Sequence, residues 1–566
     1  MKVKRNYILL IGITVLMLSI VAVIIFVKPV EVLNQKINRE LRKNNYEVIP
    51  EKNIPADYYT NNQTKIDVQH YSMEIELFPS DKVIKGNIVI SGIVTEPKPD
   101  RIDLNFYDNM NISKISINGI NADYSHSKTT LSIELEEMES EKFEIAIEYE
   151  GSPRSLYFGS FNFKEYKNEP VVYTINEPIF ASTWYPCNDL PNDKATYDIT
   201  IINDSSFVSV SNGSLIDTRD EGSKRFYHWR TNYPTSSYLV AIYSAKYKLI
   251  NDEYNWHGNS LDLQYYVFPD QVKPAAIDFE DHKKYLEFFS NTFGPYPFVN
   301  EKYGIAEILW TSGAIENQTI TGLGTNFITG KKQYELLLVH ELAHHWWGNA
   351  VGPDSWRDVW LNEGFATYCE GLYQENKNGA AYLKRFMKDK IRFFDESKLY
   401  NPGVNLFHHL IYDKGAWVLH MLRNKLGDKD FFDGLRNYYN EFKYKNASTF
   451  DFIKIMENSS GKNLSKFFEQ WVTVGKGIIE IEYDYYQNGK NLLLNIAQVQ
   501  TGYEDYQFPL DVKIEMGNNK YEQTFFISTN DTTINLPNIF GITNVSLNDN
   551  MSVLADFYEK PKENNE

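Results

Sequence analysis

The chain has 566 residues, of which 42% are hydrophobic and 15% aromatic, enough for several folded domains and unlike a disordered polymer. With 57 Lys and Arg against 75 Asp and Glu, the net charge is −18, so no basic face is available to neutralise a phosphate backbone, and nucleic-acid binding is not expected. Only two cysteines occur, which excludes a disulfide framework.

Tyr7 to Val27 form an uncharged, largely apolar run, preceded by Lys2, Lys4 and Arg5 and ended by Lys28. A run of this length spans a bilayer, the basic flank favours a cytoplasmic N-terminus, and no A-x-A-like cleavage site follows. Residues 1–28 therefore read as a transmembrane signal anchor, single-pass in the cell membrane, with the remaining domains extracytoplasmic. Residues 29–63 place Val30, Leu33, Ile37 and Leu41 at helical spacing in a polar stretch and read as a stalk or linker.

From 64 to 250 apolar residues recur with period two, as in Met73-Glu74-Ile75-Glu76-Leu77 and Phe143-Glu144-Ile145-Ala146-Ile147, predicting an N-terminal β-sheet domain. Helical patterns dominate 251–475: Ala275 to Phe293, Tyr334 to Trp347 and Ala380 to Phe394, with Ser448 and Asp451 as an N-cap signal. Alternation returns over 476–560, predicting a C-terminal β-sandwich before a short tail, 561–566. The fold class is multidomain α+β, preceded by a membrane anchor helix.

The chemistry centres on His340-Glu341-Leu342-Ala343-His344. On a helix, residues four apart share a face, so both imidazoles reach one ion while Glu341 lies about 100° round the axis, beside the open coordination position. Glu363, separated from His344 by eighteen residues, supplies a third ligand. Three protein ligands with an open fourth position describe a catalytic zinc, one ion per chain; a structural site would be closed by four side chains, usually including Cys, and only the distant Cys187 and Cys369 exist. His345 points away from His344 and reads as a packing or supporting group.

These residues resemble the zinc aminopeptidases typified by aminopeptidase N, whose signature is H-E-x-x-H, eighteen residues, then Glu. Its G-x-M-E-N motif stands here as Gly313-Ala314-Ile315-Glu316-Asn317, with Ile for Met, and Trp184-Tyr185-Pro186-Cys187-Asn188-Asp189 resembles the segment joining its β and catalytic domains. The resemblance implies a thermolysin-like, mainly helical catalytic domain. It further implies that the Gly313-Ala314 backbone pairs with substrate, that Glu316 and Glu177 hold the free α-ammonium, that Glu341 is the general base, and that Tyr412 donates a hydrogen bond to the oxyanion. Gly475-Lys476-Gly477 departs from the family's Gly-x-Pro. The family's C-terminal helical domain has no counterpart in the sequence, which implies a more open cleft.

The implied activity is that of a membrane-anchored zinc aminopeptidase hydrolysing the first bond of peptides with a free N-terminus. Zinc endopeptidase, epoxide hydrolase and non-catalytic binding scaffold are the alternatives. The preferred first residue and the oligomeric state are not legible in the sequence.

Overall fold

A computed structural model describes residue 54 and residues 58–560, apart from 136–140, 157, 393, 395–396, 404–405, 501–502 and 504–505. The apolar run 7–27 lies outside the described residues; among these, no helix is long and apolar enough to cross a membrane. Two compact units are present: Lys52–Tyr382 with Tyr400–Ser465, and Leu383–Leu399 with Lys466–Glu566.

In the larger unit, period-two alternation produces three sheets of eight, four and three strands. Within the eight-stranded sheet Ile66–Phe78 and Lys194–Asp204 run parallel, with His70 opposite Thr196, and the other pairings are antiparallel. Alternate side chains such as Tyr71, Met73 and Ile75 face inward and are buried, as the pleat requires. The four-stranded sheet contains Glu169–Ile175, and the chain leaving that strand carries Glu177.

A further, mixed sheet of five strands lies within the segment expected to be mainly helical. Its strands are β1 (Lys248–Trp256), β2 (Asn259–Val267), β3 (Lys302–Ile308), β4 (Ala314–Ile315) and β5 (Ile320–Gly324), in the order β1-β2-β3-β5-β4. One continuous core joins Tyr243 of the four-stranded sheet and the nearby Trp184 to Ile308, Ile315 and Ile320 of this one. The helices that matter for the site are α1 (Glu335–Ala343), α2 (Trp360–Asn378) and α3 (Gly415–Leu426).

Four expectations need correction in detail. Residues 58–63, assigned to the linker, are folded: Tyr58 and Gln63 are buried, the Tyr58 hydroxyl donates to Asp189 at 2.5 Å, and the Gln63 amide donates to Asn105 and Asn188. The pattern Ala275 to Phe293 is two helices, Val272–Asp278 and His282–Phe293. The pattern ending at Trp347 stops being α-helical at Ala343. That at Ala380 ends at Asp389. Ser448 and Asp451 form a reciprocal capping box, as their spacing predicts.

In the smaller unit, strands from Ile479 to Glu559 form sheets of four and three strands, with Ile479, Ile481, Leu492, Leu494, Leu510 and Val512 buried in alternation. Lys466–Thr473 packs with this unit: the Gln470 amide donates to the Gln507 carbonyl, and Trp471 packs on Tyr506. Cys187 and Cys369 are buried free thiols.

Candidate metal centre and active site

Helix α1 is apolar on most sides, so it is buried and brings its polar residues inward with it: His340, Glu341, His344 and His345 are all at most 9% exposed. His344 occupies the C-cap with right-handed helical dihedrals, so the four-residue spacing survives the end of the helix. Glu363 lies in the first turn of α2. Its Oε2 stands 3.2 Å from His340 Nε2 and 3.4 Å from His344 Nε2, and the three ligand atoms all lie within 4.8 Å of one another.

The other ring nitrogens are committed. His340 Nδ1 donates to Glu370 Oε1 at 2.9 Å and His344 Nδ1 donates to the Trp347 carbonyl at 3.1 Å, which leaves both Nε2 atoms aimed at the ion position. Glu370 escaped the sequence reading, although it lies seven residues after Glu363 on the same helical face.

Two imidazole nitrogens and one carboxylate oxygen, oriented by such partners and leaving one position open, fit zinc. Glu341, the expected base, is buried beside them, and its Oε2 has no protein partner. Burial pushes the Glu341 carboxyl up to about 8, against the opposing pull of His340 and His344. For Glu363 burial also opposes charge, but His344 and His340 outweigh it and hold the carboxyl at about 2.

Glu177 and Glu316 join this cluster. Their carboxylate oxygens and one of Glu363 lie within 4.8 Å of one another, all three residues are buried, and Glu177 Oε1 and Glu316 Oε1 have no protein partner. Burial and the neighbouring carboxylates push Glu177 well above the usual carboxylate range; burial also raises Glu316, although His344 opposes it. A cluster of this kind is a receptor for a cation.

Gly313 and Ala314 lie at the edge of their sheet. Strand β4 pairs with β5 through Ala314 opposite Leu323 and is the last strand of its sheet, and a side chain added at Gly313 would meet no atom within 4 Å. Tyr412 sits in a π-helical turn, Leu410–Lys414, leading into α3. Its ring stacks near His340 with centroids 6.1 Å apart. Burial, reinforced by Glu363 and Glu177, pushes the Tyr412 hydroxyl well above its ordinary range, so it remains a donor.

Tyr412 and Glu363 are brought together by a glycine contact. A Cβ added at Gly415 would lie 2.7 Å from the Gly364 Cα. No side chain fits there, so the backbones of α2 and α3 touch. His345 is a strut: its Nε2 accepts the Thr319 N–H at 3.1 Å, its Nδ1 donates to the Glu341 carbonyl, and burial holds its pKa down at about 3, so it stays neutral.

Residues 67–239 match the model of the Peptidase M1 N-terminal domain, and residues 277–471 match that of the Peptidase family M1 domain, together more than half of the chain. The chain belongs to peptidase family M1. "Aminopeptidase 2, mitochondrial" of Saccharomyces cerevisiae is 27% identical over 547 residues, covering 89% of this chain and 55% of the yeast protein. "Glutamyl aminopeptidase" of Bitis rhinoceros is 28% identical over 398 residues, covering 62% of this chain and 41% of the relative. This M1 chain thus spans about half the length of the curated relatives it matches.

Among solved structures, Legionella pneumophila aminopeptidase A in complex with aspartic acid has a TM-score of 0.77 at 20% identity, covering 89% of this chain and 60% of that one. The M1 zinc metallopeptidase of Deinococcus radiodurans has a TM-score of 0.65 at 22% identity, covering 73% of this chain and 95% of that one. Zinc is the cofactor of this M1 site, and His340, His344 and Glu363 are the group whose ligand atoms could hold it.

Proposed function

We propose that this M1 chain is a membrane-anchored zinc aminopeptidase that hydrolyses the first bond of peptides with a free N-terminus. The observation that carries the reading is the cluster of Glu177, Glu316 and Glu363 carboxylates within 4.8 Å, one of which is also a metal ligand. A single ammonium set among them places the first peptide bond, and no later one, at the metal. Such charge-assisted contacts are worth about 2–4 kcal/mol with water excluded.

Bound zinc supplies a Lewis acid for the scissile carbonyl and an acidified water. Glu341 takes the water's proton on the oxygen left unpartnered and then passes it to the leaving amine. The Tyr412 hydroxyl donates to the carbonyl oxygen as it becomes anionic. The outer edge of β4 pairs with the extended substrate backbone in the manner of an added strand.

The carboxylate cluster favours this reading over an endopeptidase, which has no ammonium to bind, and the intact ligand set and base favour it over a non-catalytic scaffold. The deciding experiment compares a free peptide with its N-acetylated counterpart on the zinc-loaded protein. Turnover of the free peptide alone is expected; equal turnover of both would reject the proposal. Glu316→Ala is expected to lose about thirty- to a thousandfold in kcat/KM, matching the clamp energy, with zinc content unchanged. Anchoring rests on the apolar run Tyr7 to Val27. The full chain is expected in the carbonate-washed membrane fraction, and a chain starting at residue 29 in the soluble one; co-fractionation of the two would reject the anchor.

A further inference from the structure

Two side chains tie the end of the zinc helix to the connection between β4 and β5 that carries Glu316. One is His345, which accepts the Thr319 N–H. The other is Asn349, five residues beyond His344, whose Nδ2 donates to the Glu316 main-chain carbonyl at 2.7 Å. Asn349 is fully buried, and its Oδ1 has no protein partner. The amide is oriented by its donor alone. A buried amide with half its capacity unused costs stability, and here the bond to Glu316 is what that orientation secures.

The backbone around Asn349 is held from several directions. Its N–H donates to the His344 carbonyl at 2.9 Å. Its carbonyl accepts from the half-buried Lys194 Nζ at 2.7 Å, and the Tyr238 hydroxyl donates to the Gly348 carbonyl at 3.0 Å. The far side of the Glu316 segment is fastened too: the Tyr243 hydroxyl donates to Asn317 Oδ1 at 2.9 Å, and the Asn212 amide donates to the Gln318 carbonyl at 2.7 Å. Asn349 therefore extends a short donor from a turn rigidly continuous with a metal ligand to the main chain of an ammonium-binding residue.

We infer that Asn349 is a positioning residue that sets the spacing between the metal and the ammonium-binding carboxylate of Glu316. The inference rests on the aminopeptidase reading. Hydrogen-bonded partners that orient a site residue typically change its performance by about ten- to a hundredfold when removed. Loss of the Asn349 donor frees the Glu316 carbonyl to shift while leaving His340, His344 and Glu363 where they are. Recognition of the ammonium then fails separately from metal binding.

The test measures inhibition constants of two ligands on the zinc-loaded enzyme: an α-amino acid hydroxamate and the same hydroxamate lacking its amine. Both reach the metal through the hydroxamate, and only the first engages the carboxylate cluster. The wild-type protein is expected to favour the amine-bearing ligand. Asn349→Ala is expected to reduce that preference at least tenfold, with metal content near one per chain and the affinity for the amine-free ligand unchanged. Asn349→Leu, close in volume and without a donor, is expected to behave alike and serves if the alanine variant does not fold. An unchanged preference in either folded variant overturns the inference, as does an equal loss for both ligands. A wild-type protein that shows no preference overturns the aminopeptidase reading itself.

Discussion

At the scale of single residues, the site separates groups that grip from groups that act. In the proposed reaction Tyr412 belongs to the second kind: burial and neighbouring carboxylates keep its hydroxyl protonated, and its ring lies beside His340. Tyr412→Phe is expected to lower kcat by about a hundred- to a thousandfold while KM moves little, because the missing bond forms only as the oxyanion develops. Steady-state kinetics on a free-amine substrate check this, and a comparable loss in KM would make the tyrosine structural. His340, Glu341 and His344 were legible because helical spacing assembles them, and Glu363 through the eighteen-residue gap to the next helix. Glu370 was legible in principle by the same spacing. Asn349 was not, since a side chain that donates to a distant main-chain carbonyl leaves no periodic trace.

At the scale of elements, the contact between Gly364 and Gly415 sets how closely α2 approaches α3. One glycine follows the ligand Glu363, and the other lies three residues after Tyr412. Gly415→Ala places a methyl against backbone that cannot swing aside, so the helices must part, at a cost of about 1–3 kcal/mol. The expected result is a lower urea midpoint together with weaker zinc retention against a chelator; a variant unchanged in both would show that the helices adjust freely. Periodicity announced the long strands and the helices, but it failed at short or interrupted elements. Ala314–Ile315 is too short for any period to register, and the break between Asp278 and His282 falls inside a pattern that still reads as amphipathic.

At the scale of the whole molecule, composition and alternation revealed two β regions flanking a helical one, while the edges of these regions depended on polar side chains. Tyr58 and Gln63 look like linker because the residues around them are polar, yet the Tyr58 hydroxyl and the Gln63 amide are satisfied inside the fold by Asp189, Asn105 and Asn188. The sheet from Lys248 to Gly324 was hidden for another reason: two helices separate its first two strands from its last three, so it is assembled by pairing, not by position in the chain. The buried carboxylate cluster also bears on the full catalytic cycle. In the proposed reaction Glu177 and Glu316 distinguish a free ammonium from an acylated one, but the amino acid released carries the same ammonium as the peptide it came from. The product is therefore a ligand of the enzyme in its own right, and free amino acids are expected to inhibit competitively, an effect that weakens in Glu316→Ala; initial rates unaffected by added amino acid well above KM would argue against it. On that proposal, recognition of a chain end and retention of the residue cut from it are a single property of these two side chains, so selectivity for N-termini would set a limit on how fast the enzyme can let go.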